Sequence, residues 1–273
     1  MRERKILDFL RRRDIIKICG FKKEVKMNII NRNKTTERRV VDMNEVLRRE
    51  KKFLITLPQM YALGNKLSHV MLEDPHNKGD GYPIRSLYFD TLEDKDFWEK
   101  ENGEELRRKI RLRTYGPDMP FAVLEMKQKQ GSNQKKRSLG MTREDAQQLS
   151  RGCLEVLLKY KEPFAAECYA LMKILCYQPR AVVEYRRRAF VAKENRIRVT
   201  FDHHIVATES CYDIFSPELL QSSVLDPYMV VLEVKYNGFL LSYIKDELRA
   251  CNEFETSVSK YCLSRSTSMH YQF

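Results

Sequence analysis

The feature that most restricts how this chain can fold is a charged residue at every second position, repeated in at least five separate segments. In extended backbone, residues i, i+2 and i+4 share one face. Lys109-Ile110-Arg111-Leu112-Arg113 therefore puts three cations on one face and Ile110 and Leu112 on the other. Val123 to Lys129 sets Glu125, Lys127 and Lys129 opposite Leu124 and Met126. Arg196, Arg198 and Asp202 oppose Ile197, Val199 and Phe201, and Glu233 and Lys235 oppose Leu232 and Val234. Glu50 and Lys52 open a similar strand opposite Lys51, Phe53 and Ile55. Val182 to Val191 reads as another, with Arg187 on one face and Glu184, Arg186 and Arg188 on the other. A slip of one residue exchanges the two faces of a strand, so the triplet leaves open which arginine joins the charged side.

For any one strand, a charged face wetted by solvent is the ordinary explanation. The same habit in five or six strands, with Glu two residues before Lys at Glu125/Lys127 and Glu233/Lys235, points elsewhere. It predicts a sheet that closes into a barrel, charged faces inward and apolar faces outward beneath helices. Enclosing so many cations is prohibitive unless they are paired or matched by an anion. A polyanion with several phosphates is the natural occupant, since Arg offers phosphate bidentate donors and Lys a point charge. Carboxylates among them suit a divalent cation that bridges phosphate oxygens.

Helical spacing is expected over Pro58–Leu72, from a Thr142-Arg143-Glu144-Asp145 cap towards Tyr160, over Phe164–Tyr177, and over Gly238–Ala250. Of the 273 residues, the first 52 hold 18 basic and 8 acidic residues, leaving 32 and 30 for the rest, so the formal charge of +12 is mostly a property of the lead. That distribution, and the lack of a stacked-aromatic platform on the charged strand faces, argues against a specific nucleic-acid binder. Residues 1–44 read as a basic extension, frayed or amphipathic and able to make weak contact with an anionic membrane, or as an over-called start with Met27 and Met43 as alternative beginnings. No apolar run reaches membrane-spanning length. Seven cysteines, odd in number and without a Cys-x-x-Cys pair, read as reduced thiols in a cytoplasmic protein, with Cys153, Cys168 and Cys176 buried in helices. His203-His204 reads as a strand end or turn.

Eight short segments occur in order: Glu50-Lys51-Lys52-Phe53, Ser86-Leu87-Tyr88-Phe89-Asp90-Thr91, Ile110-Arg111-Leu112-Arg113-Thr114-Tyr115, Leu124-Glu125-Met126-Lys127, Tyr185 to Phe190, Arg198 to Asp202, Leu232-Glu233-Val234-Lys235 and Ser259-Lys260-Tyr261. Together, from about Glu45 to Tyr261, they resemble the VTC domain, the polyphosphate polymerase branch of the triphosphate-tunnel (CYTH-like) superfamily. The resemblance implies an α+β fold, an antiparallel β-barrel tunnel with surrounding helices. It places the catalytic domain at 45–265, between the extension 1–44 and a tail 266–273. It also implies transfer of the ATP γ-phosphoryl group to a growing inorganic polyphosphate, with Mn²⁺ or Mg²⁺ and an inositol phosphate as a candidate regulator. Lys52, Arg111, Arg113, Lys127, Arg187, Arg198 and Lys260 match the family's catalytic phosphate-binding bases. Lys129 and Ser259 join them as phosphate ligands, Glu233 matches the metal carboxylate, and Glu50 and Glu125 are weaker metal candidates. Gly238 to Tyr243 departs from the family's habit of Pro and Trp after the Glu-x-Lys strand. A tunnel triphosphatase would be expected to carry Glu-x-Glu strands, where this chain has Glu-Lys-Lys and Glu-Val-Lys. A non-catalytic polyphosphate or inositol-phosphate sensor is the other alternative.

Overall fold

Alternation of buried and less buried residues runs through the computed structural model of the protein, which describes residues 48–131, 133–249 and 255–270. The basic lead, with the expectations placed on it, lies outside the described residues. Among the described residues ten antiparallel strands form one sheet: β1 (Arg48–Thr56), β2 (Leu72–Glu73), β3 (Tyr82–Asp90), β4 (Leu106–Thr114), β5 (Phe121–Gln130), β6 (Asn133–Thr142), β7 (Gln178–Ala192), β8 (Ile197–Thr208), β9 (Ser222–Ser223) and β10 (Met229–Asn237). The order is β1-β10-β8-β7-β3-β4-β5-β6, with β2 on β7 and β9 on β8. The apolar faces pack under helices. One cluster joins Leu87, Ile110, Leu112, Leu124 and Met126 to α3 (Arg143–Ser150) and α4 (Pro163–Ile174) through Ala146, Leu149, Cys168 and Met172. A second joins Phe53, Val199, Phe201, Leu232 and Val234 to α1 (Leu57–Val70) and α5 (Ser242–Glu247) through Met60, Leu63, Leu67 and Ile244. Two helices without a sequence expectation, α2 (Lys95–Glu101) and α6 (Lys260–His270), serve the opposite face, where Phe97 and Tyr261 pack with Tyr88, Tyr185 and Val231.

The fold is thus α+β and antiparallel, with the charged faces on the concave side. The sheet curves far enough for Lys127 of β5 to lie 3.4 Å from Glu50 of β1, although five strands separate them along the ladder. The ring is not closed by a β1–β6 ladder among the described residues. Part of the free edge of β1 is occupied instead by residues 255–256, through a Phe53/Glu255 bridge and the Thr256 amide donating to the Lys52 carbonyl at 2.8 Å.

Several local expectations change. The helix expected from Thr142 to Tyr160 is cut after Ser150, because Gly152 takes φ +86°; a short 3₁₀ turn, Leu154–Lys159, follows. The Thr142 hydroxyl does cap α3, accepting the Asp145 amide at 3.2 Å. The helix expected over 238–250 contracts to α5, and Arg196 sits in a turn before β8, not on it. Cys153 and Cys176 are exposed, since they occupy turns at helix ends; Cys168 alone of the three is buried. His203-His204 lies within β8, where a bulge opposite Glu184 and Arg186 absorbs the extra residue. There His203 is buried and hydrogen-bonds the Asp80 carbonyl through Nε2 at 2.9 Å. Helix α6 runs to His270, across the expected boundary at 265, and Arg265 ties it to Asp94 and Glu209 at 2.6 and 2.8 Å. No helix among the described residues is long and apolar enough to cross a membrane.

Candidate functional site

Strand register brings the concave charges together. Lys52 pairs with Glu233 and Glu50 with Lys235 across β1–β10; Glu233 pairs with Thr200 and Lys235 with Arg198 across β10–β8; Arg187 pairs with Asp202 across β7–β8. Arg111 pairs with Glu125 and Lys109 with Lys127 across β4–β5. Of the arginine triplet, Arg187 takes the concave face. Arg186 donates to the Gly81 carbonyl at 3.1 Å, and Arg188 lies over the Phe190 ring and pairs with Glu73 at 2.6 Å.

Four carboxylates hold the cage, and a fifth stands at its rim. Asp202, fully buried, accepts Arg187 Nε and NH2 at 2.6 and 2.7 Å and pairs with Lys260 Nζ at 2.6 Å. Burial opposes its ionisation, yet Arg187 and Lys260 hold its pKa at about 2. Glu125 is enclosed by Arg111 at 2.7 Å, Arg113 at 3.6 Å and Lys136 of β6. Glu233 lies 2.8 Å from Lys235, 3.8 Å from Arg187 and 4.0 Å from Lys52. Although burial penalises its charge, Lys235 and Lys52 keep Glu233 ionised well below the usual carboxylate range. Glu50 bridges Lys52 and Lys127, each at 3.4 Å. At the rim, Arg198 donates to Asp74 at 2.9 Å and to the Tyr82 hydroxyl at 3.1 Å.

Not every cation is matched. Lys109 donates to the Ser259 hydroxyl at 2.7 Å and rests against the rings of Tyr88 and Tyr261, with no carboxylate in reach among the described residues. Burial lowers its pKa, a shift that an anion in the cavity would reverse. Lys129 lies beyond it, where burial and then Arg107 and Lys127 lower its pKa. Among the described residues, Lys52, Arg107, Lys109, Arg111, Arg113, Lys127, Lys129, Lys136, Arg187, Arg198, Lys235 and Lys260 thus make twelve cations against the six carboxylates of Glu50, Asp74, Asp90, Glu125, Asp202 and Glu233, an excess of six. Arg113 Nε and Thr200 Oγ1 are buried polar atoms with no partner among the described residues. Arg107, Lys109, Lys136 and Lys235 are the cations that the family resemblance does not single out. Alternation in the sequence already places Lys109 and Lys235 on the charged faces, with the parity of Arg111 and Glu233.

Among the described residues no three His, Cys, Asp or Glu side chains converge as a ready-made metal cage. A phosphate-borne Mg²⁺ or Mn²⁺ needs only one or two carboxylates, completed by phosphate oxygens and water. Glu233 with neighbouring Glu50 fits that need, and the orphaned Thr200 hydroxyl, cross-strand from Glu233, offers a further oxygen. Glu125 is committed to its three cations.

The Arg187–Asp202–Lys260 cluster makes a stability prediction. Asp202→Ala strands two buried cations and is expected to cost about 3–5 kcal/mol in denaturant melts. In the wild type, a carboxylate at about 2 in the fold and near 3.9 unfolded stabilises fully above pH ~4, and this stabilisation is lost as the pH falls towards 2. It amounts to something on the order of 2–3 kcal/mol. The variant should lack that acid-dependent loss; a parallel acid profile in both proteins would contradict the pairing.

A family profile described as the VTC domain matches residues 47–269. No match was found among curated proteins. Among solved structures, a protein from Bacillus halodurans provisionally described as an adenylate cyclase is similar at 11% identity, with 78% of this chain and 93% of that one covered and a TM-score of 0.46. A conserved hypothetical protein from Pyrococcus furiosus is similar at 9% identity, with 79% and 99% covered and a TM-score of 0.39.

Proposed function

The chain belongs to the VTC domain family, which supports chemistry on polyphosphate or triphosphate, and from that premise we propose that it is a metal-dependent polyphosphate polymerase using ATP. In the reaction, the terminal oxygen of an inorganic polyphosphate bonds to the γ-phosphorus of ATP. The bond from that phosphorus to the β–γ bridging oxygen breaks, and ADP leaves with the electron pair. The acceptor oxygen is already anionic, so no strong general base is needed. Catalysis is then positioning and charge neutralisation.

The observation that carries this reading is the excess of six cations on the concave face. A nucleoside triphosphate brings roughly four negative charges, its terminal group being mostly dianionic near neutral pH. A cavity built for one triphosphate and water has no use for the remainder, whereas a second polyanion, the growing chain, does. Arg111 and Arg113, held by Glu125, and Arg187, held by Asp202, are preset to grip phosphate oxygens in planar forks. Lys52, Lys127, Lys129, Lys260 and Ser259 add point charges and a hydroxyl along the track. Glu233 and Glu50 would hold the divalent cation, which when bound would supply positive charge to neutralise the transferring group.

Full-length protein incubated with ATP and Mn²⁺ or Mg²⁺, with products resolved on a gel, tests the proposal. ADP with a polyphosphate ladder is the expected result. Free phosphate without a ladder would make the protein a triphosphatase, and tight binding without turnover would make it a sensor.

A further inference from the structure

The charged strand faces were expected to lack aromatic platforms, and the structure differs: Tyr82, Tyr88 and Tyr185 lie on the concave side. Tyr88 and Tyr185 are buried, and their rings already carry Lys109, Arg187 and Lys260. Tyr82 is different. It opens β3 at the rim, fixed there by Gly81, whose φ of +112° and lack of a Cβ let the chain pass against the Arg187 carbonyl. Its ring centroid is 6.3 Å from that of Tyr115, tilted by 48°, and 6.1 Å from that of His76, edge-on at 63°.

Tyr115 follows Arg113-Thr114 at the end of β4 and is 39% exposed, so it is not enclosed by its neighbours. The His76 side chain is 81% exposed, yet its position is fixed: Nδ1 lies 2.8 Å from Asp74 Oδ1, and the other oxygen of Asp74 accepts Arg198 at 2.9 Å. Arg198 in turn donates to the Tyr82 hydroxyl. A cation of the phosphate cavity is therefore hydrogen-bonded directly to one member of a partly exposed aromatic cluster, and through Asp74 to another. An anionic chain ending in a flat heterocycle matches this arrangement, phosphates inward past Arg198 and the ring outside on the tyrosines.

We propose that Tyr82, Tyr115 and His76 form a nucleobase subsite at the mouth of the cavity, on which the purine of the nucleotide donor stacks. The proposal rests on the reading that the cavity takes a nucleoside triphosphate. Base–aromatic stacking contributes enough to raise affinity roughly tenfold per stacked base. ATP should accordingly bind about ten times more tightly than tripolyphosphate, with CTP, whose ring is smaller, between the two.

Calorimetry of the full chain with ATP, CTP and tripolyphosphate tests this, using Tyr115→Ala, Tyr115→Phe and His76→Ala. Tyr115→Ala is expected to lose most of the tenfold ATP advantage while keeping tripolyphosphate affinity unchanged, which also reports that the variant is folded. Tyr115→Phe should bind like the wild type, and His76→Ala should lose part of the advantage. Equal loss for ATP and tripolyphosphate in Tyr115→Ala would mean a structural effect and overturn the subsite. Wild-type protein that binds tripolyphosphate as tightly as ATP would also overturn it, while leaving the cavity reading intact. Binding of neither ligand would sink both.

Discussion

Glu233→Gln is expected to lower metal-dependent turnover by about 10²–10³-fold, the loss typical when one preset electrostatic group at a reacting centre is removed. Affinity for ATP measured without metal should stay within about threefold of the wild type. The split follows from the surroundings of the carboxylate. Lys235, Arg187 and Lys52 lie 2.8, 3.8 and 4.0 Å from it, and they hold it ionised. Gln keeps the volume and one acceptor oxygen but cannot offer a divalent cation a negative charge. The three cations, freed of a competitor, remain available to phosphate, which is why binding survives. Turnover equal to the wild type would remove Glu233 from the reaction. Loss of binding and turnover together, with a lowered melting temperature, would make Glu233 a structural counter-ion only.

The faces of β1, β4, β5, β8 and β10 were legible in the sequence because period two is a local property. Residues such as Arg111 and Glu125 carry their side of the sheet with them wherever the strand is placed. What local pattern cannot supply is partnership. Asp202 was on the expected face, and its pairing with Arg187 follows from the β7–β8 register, but its pairing with Lys260 joins residues far apart in the chain, and only the packing of α6 into the concave side creates it. Register also resolves the arginine triplet: three consecutive arginines are equivalent by composition, and the buried Asp202 selects Arg187 as its cross-strand partner. Helix α6 was not legible because the polar run after Ser259-Lys260-Tyr261 carries no clear apolar stripe. The break at Gly152 and the bulge at His203-His204 are backbone events, each fixed by a positive φ, at Gly152 and at His204, that side-chain periodicity does not register. The tyrosines of the concave face had the right parity throughout. Tyr185 shares the face of Arg187, but a search for charges passes over it.

Replacing Arg111 and Arg113 together by Ala should weaken ATP and tripolyphosphate binding by about 10²-fold or more, since each removes a charge-assisted contact worth about 1.5–3 kcal/mol. A complication follows from the site itself. Both arginines neutralise Glu125, which is 6% exposed, and their loss leaves that carboxylate with Lys136 alone. In the wild type burial opposes the Glu125 charge, but Arg111 and Lys136 lower its pKa, so it contributes stability at neutral pH that is lost as the pH falls below the unfolded value near 4.3. In the double variant the sign reverses: a carboxylate stripped of its partners is costly while charged and relieved by protonation. The stability gap between variant and wild type should therefore narrow as the pH falls from 7 towards 4. Adding Glu125→Gln removes the stranded charge and should restore most of the melting temperature at pH 7. Affinity separates the two roles. If the triple variant is stable and still binds triphosphate about 10²-fold more weakly by calorimetry, the β4 arginines grip the ligand. If it is stable and binds like the wild type, those arginines serve only Glu125, and the cavity must hold its phosphates from β1, β7, β8 and β10.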